Sequence, residues 1–186
     1  MSITGVKIDF ASADGVNTMT NKLLIVGAGS FSTEVEEMAR LAGYEEFAYL
    51  DDCADCAVSH PVIGTLKDIG KYREQYRHAI VALGNNKNRL YYHEILESFN
   101  YSIPILVHPT AYVSPDARLS AGCIVRTFAV VGRYAQIEKA SILNIGAKVD
   151  HHCVIGEGCH LQIHSVVRAS KAVDPLTWVD AGRVIQ

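Results

Sequence analysis

The sequence predicts an α/β domain followed by a β-solenoid, on three observations. The first is a period of six. An aliphatic side chain returns at Val107, Val113, Leu119, Val125, Val131, Ile137 and Leu143, then at Val149, Ile155, Leu161, Val167, Val173, Val179 and Ile185. The second is a small residue four places after most of these, from Ala111, Ala117 and Cys123 to Cys153, Cys159 and Ser165. The third is an alternation of apolar runs and helical patterns before Val107, opened by a glycine-rich turn. A period of six fits neither the 3.6 of a helix nor simple strand alternation, and a hexapeptide repeat marks a parallel β-helix. Strands alternating with helices mark a small parallel sheet.

Three hexapeptides close one triangular coil, so residues 18 apart become vertical neighbours. The period predicts one ladder of Val107, Val125, Leu143, Leu161 and Val179, and another of Val113, Val131, Val149, Val167 and Ile185. Lys171 and Arg183 stand where the repeat wants small residues, so the last coils are expected to be less regular.

Composition narrows the class. The chain has 186 residues, 49% of them hydrophobic, and a formal net charge of −3. It can bury a core, and nothing in it suggests an electrostatic nucleic-acid binder. No apolar run is long enough to span a membrane, and residues 1–20 lack the pattern of a signal peptide. Of five cysteines, Cys123, Cys153 and Cys159 fall at the small corners of the repeat. Packed, reduced thiols are expected, and with them a cytoplasmic protein.

In chain order, residues 1–20 are weakly patterned and are read as an arm. The α/β domain is expected over 21–106 and the β-helix over 107–186. The run Lys22-Leu-Leu-Ile-Val-Gly27-Ala-Gly29 is a strand entering a glycine turn, and Thr33 to Leu41 has helical spacing. Glu46–Leu50 reads as a second strand, Cys53–His60 as a loop, Leu66–Tyr72 as a helical segment and Ala79–Leu83 as a strand. Gly84-Asn85-Asn86 turns into a helix over Lys87–Phe99, and Ile103–Val107 is expected to be the last strand of this domain. The Gly27–Gly29 turn before a helix is suited to a nucleotide phosphate. Ser32 replaces the third glycine of the dinucleotide pattern, which disfavours a nicotinamide site, and a tight turn without ligand is the plain alternative. Cys53-Ala-Asp-Cys56 with His60 has half the spacing of a zinc site but no second pair, so no metal is expected.

The densest chemistry lies in Asn144–Gly156 and its flanks, with His151, His152, His160 and His164. Eighteen-residue stacking puts these histidines in different columns, which argues against a metal cage. An outward histidine beside Asp150 suits a general base, with exposed turn residues as the bland alternative.

The chain resembles the bacterial sugar O- and N-acetyltransferases of the sialic acid O-acetyltransferase and nucleotide-sugar N-acetyltransferase group. The matching pieces are Leu-Leu-Ile-Val-Gly-Ala-Gly, Tyr-Leu-Asp-Asp, Val-Ile-Gly-Thr-Leu, Ala-Leu-Gly-Asn-Asn, His108-Pro-Thr-Ala and Asn144 through Gly156. The resemblance implies a Rossmann-like nucleotide-sugar-binding domain, a left-handed β-helix and a homotrimer, with acetyl-CoA as co-substrate. It further implies His151 as catalytic base with Asp150 beside it and His160 near the donor. Gly27, Gly29, Asp51, Asp52, Gly84, Asn85 and Asn86 would line the acceptor, and Asn144 would contact it. Ala169 falls on the path of the donor's pantetheine arm, and Arg168 is a candidate for the phosphates of CoA, with a solvated surface charge as the bland alternative. The expected function is acetyl-CoA-dependent acetylation of a sugar or nucleotide sugar in surface-glycan synthesis. The alternative is a binding or scaffolding relative that has lost its donor site.

Overall fold

The computed structural model describes residues 21–53 and 58–186, so the expected arm and Cys56 lie outside the described residues. The α/β part is a four-stranded parallel sheet. Its strands are β1 (Lys22–Val26), β2 (Glu46–Leu50), β3 (Val62–Gly64) and β4 (His78–Val81), in spatial order β3-β2-β1-β4. Leu23 to Val26 and Phe47 to Leu50 are buried throughout, as a sheet covered on both faces requires. Helices α1 (Ser30–Leu41) and α2 (Asn86–Ser98) follow β1 and β4. Leu66–Tyr72 forms a 3₁₀ helix, whose Thr65 and Asp68 close a capping box. The chain order reverses between β1 and β4, and the crevice beyond their carboxyl ends is where such sheets bind ligands. Gly27–Gly29 and Gly84–Asn86 stand at that crevice.

Two readings of the sequence need correction. Val62–Gly64 is a short strand on the edge of the sheet and was not foreseen. The expected last α/β strand, Ile103–Val107, does not join that sheet. Only Leu106–Val107 is strand, and it pairs with Ile124–Val125 as the first rung of the solenoid. Both pieces carry the same apolar pattern, so partner choice rather than composition decided the outcome.

From Leu106 to Ile185 the chain is a succession of two-residue parallel strands, one every six residues, on three faces. The first face stacks Leu106–Val107, Ile124–Val125, Ile142–Leu143, His160–Leu161 and Trp178–Val179. The second stacks Tyr112–Val113, Val130–Val131, Lys148–Val149, Val166–Val167 and Val184–Ile185. The third holds Arg118–Leu119, Gln136–Ile137, Val154–Ile155 and Ala172–Val173. Both foreseen ladders are present in this register. Inward residues such as Val125, Leu143 and Leu161 are fully buried, each contributing about 1.5–3 kcal/mol by leaving water.

The corner residues explain the second sequence signal. The small residue turns inward, and at four corners its hydroxyl or thiol bonds across to the next coil, while the buried Ser165 Oγ has no partner among the described residues. Cys123 Sγ reaches Glu138 O at 3.2 Å, Ser141 Oγ reaches Gly156 O at 2.9 Å and Cys159 Sγ reaches Asp174 O at 3.1 Å. Burial pushes the Cys123 thiol up to about 12, so it stays protonated. From Gly122 onward the residue before each corner position adopts positive φ: Phe128, Gly146, His164 and Gly182 at the first-to-second corner, Tyr134, His152 and Ser170 at the second-to-third, Gly122, Ala140, Gly158 and Leu176 at the third-to-first.

The α/β domain sits on the first face. Leu106, Ile124 and Ile142 share one core with Ile25, Val35 and Met38. Helix α1 reaches the first-to-second corner, where Glu34 pairs with Arg126. Helix α2 covers the third-to-first corner through Arg89 and Asn86. The second-to-third corner is therefore the vertex opposite the domain.

Candidate active site

Helix α1 begins at Gly29, which supplies no side chain to cap it, and no acidic residue lies in its first turn. Ser32 N–H bonds to Gly29 O at 2.9 Å, and the N–H groups of the uncapped end favour an anion. Among the described residues, a Cβ built on Gly29 or on Gly84 would meet nothing within 4 Å. Gly27 differs: its φ is +106° and a Cβ would lie 2.7 Å from Leu83 Cδ2. Gly27 shapes the turn, while Gly29 and Gly84 keep the cleft clear.

The acidic and amide residues beside this cleft serve mainly as scaffold. Asp51 accepts from the N–H groups of Ala28 at 2.7 Å and Cys53 at 2.9 Å, and so holds the glycine turn. Asp52 accepts from Leu66 N at 3.2 Å. Asn85 caps α2 through Asn88 N at 3.0 Å. Asn86 is committed on both sides, donating to Leu176 O at 3.1 Å and accepting from Arg89 at 2.8 Å.

Arg89 is the residue that sequence reasoning missed. It is fully buried, with no acid as partner among the described residues. Its guanidinium donates to the carbonyls of Leu83 and Gly84 on one side and of Ala140, Gly158 and Cys159 on the other. Burial lowers its pKa to about 10, which leaves it charged at neutral pH. The arginine thus fastens the Gly84 turn to the corner of the solenoid. Its only sequence signal was a charged residue on the inner side of α2, and a helix pattern alone does not reveal that.

On the solenoid wall of the cleft, Arg126, Asn144 and Gln162 stack as one polar column beside Phe31 and His160. Asn144 is buried, and its Oδ1 accepts from Arg126 Nη1 at 2.5 Å. His160 projects from the first face between Ile142 and Trp178, with the indole 4.6 Å away edge-on and Phe31 at 6.4 Å. Burial, with the Arg89 charge next, holds its pKa at about 4, so the ring is neutral at physiological pH.

His151 lies elsewhere. It is exposed on the second-to-third corner with His152, whose N–H bonds to Arg133 O at 2.9 Å. Asp150 does not touch the imidazole: its Oδ1 accepts from the His151 backbone N–H at 2.7 Å. The ring partner is His152, with the two Nδ1 atoms 3.0 Å apart and the rings perpendicular. Tyr134, one coil below, packs on His152 at 5.0 Å. Arg168 and Ala169 stand one coil above Asp150 and His151. Within one chain, then, His151, Arg168 and Ala169 share one vertex, while His160, Asn144 and the glycine turns occupy the opposite side.

Among the described residues, no group of three His, Cys, Asp or Glu side chains is placed to hold a metal ion, and no helix is long and apolar enough to cross a membrane.

The PglD N-terminal domain family matches residues 22–96. The acetyltransferase domain of PglB from Neisseria gonorrhoeae is 31% identical, with a TM-score of 0.79 over 90% of this chain and 92% of that one. Its complex with acetyl coenzyme A superposes with a TM-score of 0.66 at 28% identity, over 89% and 93% of the two chains. A histidine-to-asparagine variant of perosamine N-acetyltransferase from Caulobacter crescentus, bound to CoA and GDP-perosamine, is 26% identical. Its TM-score is 0.77 over 89% of this chain and 88% of that one. The α/β domain ahead of a left-handed β-helix is common to this group, and the chain belongs to the nucleotide-sugar acetyltransferase family.

Proposed function

We propose that the protein moves the acetyl group of acetyl-CoA to an amine or hydroxyl of a nucleotide-bound sugar in glycan synthesis, at sites completed between copies of a homotrimer. Acetyl transfer is the chemistry of the family. CoA with GDP-perosamine in one relative and acetyl-CoA in another support the two substrate classes. The observation that carries the shared site is the opposition of the two halves: the acceptor cleft and His151 face opposite ways on one prism. A neighbour must bring its His151 corner to this cleft. The second face, uncovered by the described residues, offers exposed Tyr112 and Val184 for that contact, and Phe128 is exposed at the adjoining corner.

In this reading the α1 N-terminus and the Gly29 and Gly84 turns receive the nucleotide phosphates, with Asp51 and Asp52 holding the loops. Asn144 contacts the acceptor sugar. His152 Nδ1 accepts from His151 Nδ1–H, which leaves His151 Nε2 bare to take the proton of the acceptor. The acceptor atom bonds to the thioester carbon, a backbone N–H stabilises the oxyanion, the C–S bond breaks and the thiolate recovers the proton from His151. Arg168 and Ala169 border the donor on the vertex. Free, buried thiols support a reducing compartment, in keeping with the cytoplasm.

Mixed trimers test the shared site. His151→Ala and Gly29→Val homotrimers are each expected to be inactive. Unfolded and refolded together in equal amounts, they should regain activity, since about a quarter of the interfacial sites then combine two intact halves. No recovery, with mixed trimers shown to form, would mean each site is built within one chain.

A further inference from the structure

The imidazole of His160 is buried, and among the described residues its Nδ1 makes no hydrogen bond of full geometry, with only the Gly84 backbone bearing weakly on the ring. The other nitrogen, Nε2, lies 2.8 Å from Gln162 Nε2. Which nitrogen carries the proton follows from the column Arg126, Asn144 and Gln162, spaced one coil apart. An arginine only donates. Arg126 Nη1 is 2.5 Å from Asn144 Oδ1, and the backbone N–H of Ile145 donates to the same atom at 2.8 Å. Two obligate donors identify that atom as the amide oxygen, so Asn144 Nδ2 faces Gln162. Nδ2 donates to Gln162 Oε1 at 3.3 Å, which turns the Gln162 amide nitrogen toward His160. His160 Nε2 must accept, and the proton of the neutral ring sits on Nδ1. Glu34, paired with Arg126, anchors the far end of the chain.

We propose that Gln162 is a positioning residue, which holds His160 as the Nδ1–H tautomer so that this N–H meets an acceptor oxygen of a ligand in the cleft beneath the Gly84 turn. The proposal rests on the reading of that cleft as substrate-binding. It assigns His160 a part opposite to that of His151: a neutral donor rather than a base. A buried N–H so weakly partnered is costly to leave so, and a carbonyl or phosphate oxygen entering the cleft would give it a full bond. Trp178 and Phe31 wall the ring with apolar surface, which strengthens such a bond. The oxygen has two sources, the thioester of acetyl-CoA and the diphosphate of the nucleotide sugar.

Long-range proton–nitrogen spectra of the ¹⁵N-labelled full-length protein read the tautomer directly. The free protein should show His160 with a protonated Nδ1 and a bare Nε2 at pH 7. Gln162→Glu keeps the shape but offers only acceptor oxygens, so Nε2 should gain a proton. Activity should fall about tenfold in kcat/KM at an unchanged melting temperature. A wild-type ring protonated on Nε2 alone overturns the proposal, as does a Gln162→Glu ring identical to wild type. If that variant fails to fold, the wild-type spectrum still decides. Acetyl-CoA, UDP and GDP are then added singly to the wild type. A downfield move of the Nδ1–H proton with acetyl-CoA alone assigns the thioester, and with a nucleotide alone the diphosphate; no move with any of them removes the ligand half. The free-protein spectrum does not depend on turnover, so failure of acetyl transfer leaves the tautomer result standing.

Discussion

Two neighbouring histidines, alike in type and exposure, differ in what the backbone does beneath them. His152 adopts φ of +57° at the corner and lies against Tyr134, while His151 precedes the turn with its Nε2 open to the outside. Replacing His151 with alanine should lower kcat about 10²- to 10⁴-fold with little change in melting temperature. His152→Ala should cost roughly tenfold through loss of orientation, and His152→Glu should restore most of that by returning an acceptor. Steady-state kinetics on the three variants checks the assignment; equal losses for the two alanine variants would mean that the rings act as one unit or that the base is another residue. The Asp150–His151 dipeptide was legible in the sequence as an acid beside a histidine. That the acid serves the backbone and the next histidine serves the ring was not, because both depend on a local turn geometry.

At the scale of elements, the glycine turn after β1 contains two glycines kept for different reasons. Gly29 has φ of −77° and empty space where a side chain would go, so Gly29→Val should fold normally and lose affinity for UDP or GDP by calorimetry. Gly27 has a left-handed backbone and a crowded Cβ position, so Gly27→Ala should instead lower the melting temperature. Unchanged nucleotide affinity in Gly29→Val would show that the acceptor does not use this turn. The glycine spacing announced a turn at this place. It did not say which glycine relieves strain and which borders open space.

For the whole molecule, acid is the expected weakness. Burial depresses the pKa of His160 from 6.5 to about 4, and lowers those of His93 and His78 as well. Between pH 6.5 and 4 the unfolded chain binds a proton that the folded chain excludes, so stability is full above 6.5 and falls as pH drops through this window. For His160 the difference amounts to about 3 kcal/mol. Glu36 acts lower. Its own burial opposes ionisation, but hydrogen bonds from Tyr49, Ser59 and Arg40 hold it at about 2, below an ordinary 4.5. Its contribution is complete above pH 4.5 and is lost as pH falls toward 2. Urea unfolding at pH 7, 5.5 and 4 should show a steady decline, shallower in His160→Gln. A flat profile would mean that the ring titrates normally.

The solenoid needed nothing but the sequence. A six-residue period allows one arrangement of inward aliphatic side chains, and stacking repeats only each coil's nearest neighbours. Val107 through Ile185 therefore fell into register as the pattern required, and the glycine turn placed the crevice of the α/β domain. Contacts between distant segments left no local periodicity to read. The tertiary structure alone sent Leu106–Val107 to the solenoid, buried Arg89 as the fastener between the domains and joined Arg126, Asn144 and Gln162 to His160. It also set His151 on the vertex opposite the crevice. Each of these depends on which surfaces meet, and that is decided by packing across the chain rather than by the residues on either side.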